Sequence, residues 1–168
     1  MDHLLSFVTW LNDTRISVYL RESDWPFPII ETIHILGLGF SVGTVMWLDL
    51  RLLGLALTRV RMSRVIAQLN PWLFLAYGIM LTTGVLLFCA DPVSFWSTFP
   101  FKAKMVMLIL AGLNVLIFNR TIGRRVTEWD MVPNTPIAAK LAGGVSIFLW
   151  FAIIVAGRAI AYVLPPPI

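Results

Sequence analysis

Charge is scarce in this chain. Only 13% of its 168 residues are Asp, Glu, Lys or Arg, about half the share of an average soluble domain. A water-soluble monomer of this size needs more polar surface than that. Histidine is scarce as well: His3 and His34 are the two present, too few for the His-rich spacings of a zinc site. A single cysteine, Cys89, excludes an internal disulfide and leaves the redox compartment unread. Neither a glycine-rich phosphate loop nor a nucleophile constellation occurs, so a non-enzymatic role is expected. The first residues lack the basic region and apolar stretch of a secretory signal, and insertion would rely on the spanning helices themselves.

Apolar residues are what the chain has in excess, at 58%. They fall in runs near the roughly 20 residues a spanning helix needs. Four spans are predicted, at about 28–48, 72–90, 101–119 and 137–164, within one membrane domain of residues 1–168. The second is expected to start at Asn70 and Pro71, an N-cap followed by a first-turn proline. The fourth ends in Pro165, Pro166 and Pro167, which no helix continues through. Residues 2–22 are too polar to span. Leu4, Phe7, Val8, Leu11, Val18 and Tyr19 form one apolar side, as in a helix lying in the interface, and Asn12 to Thr14 offer a break into two. The fold class is therefore all-α: a polytopic transmembrane four-helix bundle with an N-terminal amphipathic interfacial helix.

The net charge of +4 does not point to nucleic acid, because the cations sit between apolar runs, where they set membrane orientation. Arg51, Arg59, Arg61, Arg64, Arg120, Arg124, Arg125 and Lys140 fall in or beside the connections after spans one and three. Arg15, Arg21, Lys102, Lys104 and Arg158 fall on the other side. The positive-inside rule then places the first group in the cytoplasm and both termini outside, as in a bacterial inner-membrane protein. The partner expected for so apolar a surface is the lipid bilayer. Small-residue pairs, Gly39 with Gly43 and Gly37 with Ser41, suit close helix contact, within the bundle, in a homodimer or in a larger complex.

The first span carries the functional hints. Glu31, His34, Gly37, Ser41 and Thr44 recur at helical spacing and share one face, and a polar stripe on a membrane helix points into protein. At 1.5 Å per residue, Glu31 lies about 5 Å and His34 about 9 Å below the outer end of its helix. Lys104 comes to about 6 Å and Arg158 to about 10 Å on theirs. An ion pair between Glu31 and Arg158 is expected, and Lys104 is expected to reach outward to the interface.

Three readings of His34 stay open: a structural histidine, an axial ligand of heme b, and a proton or ion relay with Glu31. Heme suits a membrane four-helix bundle. Gly37, one turn from His34, leaves room for a flat macrocycle, while Arg158 and Lys104 could hold propionates. A second axial histidine is missing from the spans. Met105, Met107 and Cys89 are soft ligands for copper, but Met105 and Met107 do not share a helix face. The leading reading is a redox-accessory membrane protein with a heme-holding pocket on His34. The alternatives are a small transporter, channel or proton-relay subunit using Glu31, His34 and Arg158, or a structural subunit of a membrane complex.

Trp25, Phe27, Pro28, Glu31, His34, Gly37 and Leu38, followed by Leu48, Asp49, Leu50, Arg51 and Gly54, resemble an uncharacterised family of bacterial four-span membrane proteins. Thr83 and Gly84 with Phe88, Phe101 with Lys104, Ala111 with Asn114, and Trp150 with Gly157, Arg158 and Tyr162 carry the same likeness. The resemblance implies the four-span fold and a shared polar cluster, without an activity. Phe101, Lys104 and Asn114 are more loosely similar to the membrane domain of copper-resistance D proteins. The general plan looks like that of membrane heme bundles of the protoporphyrinogen-oxidase type.

Overall fold

All the long apolar runs form helices in a computed structural model that describes residues 2–130 and 135–163. Two short helices come first, α1 (Asp2–Asn12) and α2 (Arg15–Glu22). They are broken where Thr14 turns out of helical geometry to cap α2 and accepts a hydrogen bond from the Ser17 amide. The four long helices are α3 (Pro26–Leu53), α4 (Met62–Ala90), α6 (Phe99–Arg120) and α8 (Ile137–Val163). Each is long and apolar enough to cross a bilayer. The short α5 (Pro92–Ser97) joins α4 to α6, and α7 (Val126–Trp129) follows α6 after a 3-10 turn. No strand occurs among the described residues. Leu164 and the three terminal prolines, offered above as the end of the last span, lie outside them.

Helices α3, α4 and α6 overrun the predicted spans, because hydropathy marks the lipid-facing part of a helix and not its hydrogen-bonded ends, whereas α8 begins at Ile137 as predicted. Proline at the first turn opens α3, and Gly54, in the left-handed conformation at φ 78°, closes it. The largest difference is in α4, which begins at Met62 and carries Pro71 inside it. Pro71 costs the helix one backbone bond. Tertiary contact at the other end offsets that loss: Met62 is fully buried and packs with Leu52, Trp129 and Ala139.

The start of α4 is capped from a distant part of the chain. The Asp130 carboxylate accepts from the Ser63 amide at 2.7 Å and from the Ser63 hydroxyl at 2.6 Å. It thereby satisfies a first-turn donor that has no partner within the helix. These two hydrogen bonds, with Arg61 and Arg51 nearby, hold its acidity below the ordinary aspartate value. The folded carboxyl thus binds its proton more weakly than the unfolded one. The cap stabilises fully at neutral pH and is lost as acid takes the medium through the ordinary value near 3.9 and on below it. Asp130→Ala is expected to cost about 1–2 kcal/mol, read by thermal unfolding in detergent at neutral pH, with the difference shrinking in strong acid.

Packing is pairwise. Helix α3 lies on α4, α6 on α8, and the two pairs join through α3 and α8, whereas the α4 and α6 backbones have no comparable contact. Aromatic side chains link α4 to both helices of the other pair instead. Tyr77 stacks on Trp150 at 6.0 Å and Phe88 on Phe101 at 5.2 Å, and a core of Val45, Ala111, Leu149, Trp150 and Ile153 runs between. Outside, Leu36, Phe74, Leu81, Phe148 and Phe151 stand bare, as a bilayer-facing surface requires. This is an integral, multi-pass membrane protein. Helices α1 and α2 lie against the ends of α3, α4 and α5. They bury Val8 and Leu20 and leave Phe7, Trp10, Ile16 and Tyr19 exposed, an arrangement suited to the interface.

Candidate functional site

The polar stripe of α3 turns inward from His34 onward. Gly37, Ser41 and Thr44 are buried and His34 is half-buried, while Glu31 is exposed near the N-terminal end of α3. Ser41 and Thr44 return their hydroxyls to carbonyls of their own helix, those of Leu38 and Phe40. They are polar residues already satisfied, and the chemistry of the stripe is left to His34.

His34 reaches α4. Its Nδ1 lies 2.8 Å from the Thr83 hydroxyl oxygen. That hydroxyl has one proton, and the Ile79 carbonyl at 2.7 Å receives it. With its proton on that carbonyl, the hydroxyl accepts from the ring, the arrangement that puts the His34 proton on Nδ1 and the lone pair on Nε2. Nε2 has no hydrogen-bond partner among the described residues. The ring also lies flush against Gly84, where a methyl group would stand 3.4 Å from Cε1.

Lys104 approaches from the other helix pair. Instead of extending to the interface as expected, its stem folds across α8 at Gly157, where a methyl group would stand 3.5 Å from Nζ. The ammonium lies within electrostatic reach of the His34 ring and has no ion-pair partner among the described residues. An imidazole lone pair and an unpaired cation are thus held at one depth, with two glycines giving them room. An anionic molecule with a metal or a proton to offer suits that combination.

Two further expectations do not hold. Glu31 and Arg158 form no ion pair. Arg158 is exposed, with its Nη2 donating to the Tyr162 hydroxyl at 3.2 Å and its guanidinium 5.0 Å from that ring. The i, i+4 spacing gives Arg158 a partner on its own helix, so it needs none across the bundle. Gly37 does not leave room for a macrocycle: a methyl group there would meet Ile79 Cγ2 at 3.2 Å and Met80 Sδ at 3.4 Å. Its small size serves close packing of α3 on α4. Gly39 and Gly43, by contrast, have open space around them. His3 is exposed on α1 and supplies no second ligand beside His34.

Thr83, Gly84 and Gly157 were absent from the predicted site, although a signal existed. Thr83 lies seven residues before the end of α4, about 10 Å deep, at the depth of His34. Matching polar residues by depth across helices, and not by charge alone, would have found it.

A family model described as a family of unknown function, DUF6644, matches residues 6–163, and the chain belongs to that family. No curated protein matches the chain, and no solved structure does.

Proposed function

We propose that this DUF6644 member is a heme-carrying redox-accessory protein of the membrane, in which His34 would hold the iron through Nε2 and Lys104 would pair with a propionate. The observation that carries the reading is the Nδ1–Thr83 hydrogen bond. Metal-ligating histidines are oriented by a second-sphere acceptor of this kind, which leaves the other nitrogen free to coordinate. The fit is partial in two respects: close packing of α3 on α4 leaves no room for a macrocycle beside Gly37, and Arg158 is engaged with Tyr162, so one propionate partner is proposed where sequence offered two. A b-type heme in such a place supplies one-electron transfer. The protein's part is to hold the ring nitrogen, pair the carboxylate and exclude water. By the positive-inside rule the site belongs to the outer leaflet, with the arginine-rich connections in the cytoplasm. The transport reading needs Glu31 and Arg158 to act with His34, whereas both are exposed and neither is hydrogen-bonded to it.

The absorption spectrum of detergent-purified protein from heme-replete cells tests the proposal. A Soret band is expected, and Lys104→Met is expected to weaken heme retention about tenfold, the loss of one charge-assisted hydrogen bond. A colourless, monodisperse, helical preparation would overturn it.

A further inference from the structure

A buried carboxyl lies toward the opposite, arginine-rich end of the bundle. Asp49, one turn inside the end of α3, is 5% exposed. Its Oδ2 has no hydrogen-bond partner, and Ser146 of α8, itself 6% exposed, is the hydroxyl beside the carboxyl. At Gly143, one turn before Ser146, the two helices all but touch: a methyl group there would stand 3.1 Å from the Asp49 carbonyl oxygen and 3.1 Å from Leu52 Cβ.

The cations that might neutralise Asp49 are turned elsewhere. On its own helix, Arg51 donates from Nε to the Val60 carbonyl at 3.1 Å. On α8, Lys140 lines a shallow apolar groove on the outside of the bundle with Leu53 and Leu141. From α4 the facing titratable group is the Tyr77 phenol. From α6, Asn114 spends its amide on the Ala142 carbonyl at 2.9 Å. No ion pair reaches Asp49 among the described residues. A bare carboxylate oxygen in an apolar, membrane-depth setting is costly without a positive partner, and a well-packed apolar residue would serve the crossing better. The close approach at Gly143 leaves no space for an organic cation or a hydrated divalent one.

We infer that Asp49 and Ser146 form a binding site for one small monovalent cation, a proton or a sodium ion, exchanging with the arginine-rich side. The site is separate from the histidine site and does not depend on what binds there. Infrared difference spectroscopy on the full-length protein in lipid nanodiscs, begun in sodium-free potassium buffer, tests it. A carboxylic-acid carbonyl band is expected that is lost in Asp49→Asn and shifted in Ser146→Ala. The second variant keeps the carboxyl and so keeps the test readable where the first fails to assemble. A band that follows pH and ignores sodium chloride identifies the proton as ligand. A band removed at constant pH by sodium chloride, but not by potassium chloride, identifies sodium. No band assignable to Asp49, or one that responds to neither pH nor sodium, overturns the inference.

Discussion

His34→Ala is expected to abolish the Soret band of the purified protein, because the proposal gives the heme iron one protein ligand and this removes it. The informative partner is Thr83→Val. It keeps the shape of the side chain and deletes the oxygen that accepts from Nδ1, leaving a half-buried N–H unsatisfied and the ring free to rotate. Loss of such an outer-sphere partner weakens metal binding about 10- to 100-fold. Thr83→Ser keeps the hydroxyl and should retain most of the affinity. Glu31→Gln should leave the spectrum unchanged, since Glu31 is exposed and makes no ion pair. A Soret band of full intensity in folded His34→Ala protein would place any heme elsewhere.

Gly143→Leu is expected to be the most damaging single change to the fold. Its Cβ alone would sit 3.1 Å from a backbone oxygen of α3, and backbone cannot swing aside as a flexible side-chain end can. Helices α3 and α8 would have to separate, undoing the contact that joins the two helix pairs. Overpacking of this kind costs about 3 kcal/mol or more. Gly144→Leu is the control: the next residue in sequence has open space, and replacing glycine within a helix gains up to about 1 kcal/mol in propensity. Thermal unfolding in detergent should therefore separate two neighbouring glycines by several kcal/mol. Equal midpoints would mean that the α3–α8 crossing is not what holds the bundle together.

The polar groups around His34 illustrate how far the sequence carries. Helical spacing placed Glu31, His34, Gly37, Ser41 and Thr44 on one face, and from His34 inward that face is the buried one. Depth along each helix brings His34 and Lys104 to similar levels, and the ammonium lies within electrostatic reach of the ring. The same count brought Arg158 to that level too, yet Arg158 stands outside with Tyr162. Depth fixes height in the bundle and says nothing of azimuth. Likewise Pro71 reads as the start of a helix by local rules, whereas Asp130, 67 residues from Ser63, moves the capped end back to Met62.

Composition and periodicity by themselves determined that this is a membrane protein of four long helices, and which face of the first is polar. Both follow from the bilayer, which forces every backbone group into helical hydrogen bonds and every unpaired polar side chain inward. Tertiary structure alone decided the partners: Thr83 for His34, Gly157 for Lys104, Ser146 for Asp49, and Ile79 with Met80 against Gly37. In lipid no hydrophobic force chooses among apolar helix faces. The choice falls to close contacts of small residues and to hydrogen bonds between helices, which only the assembled bundle contains.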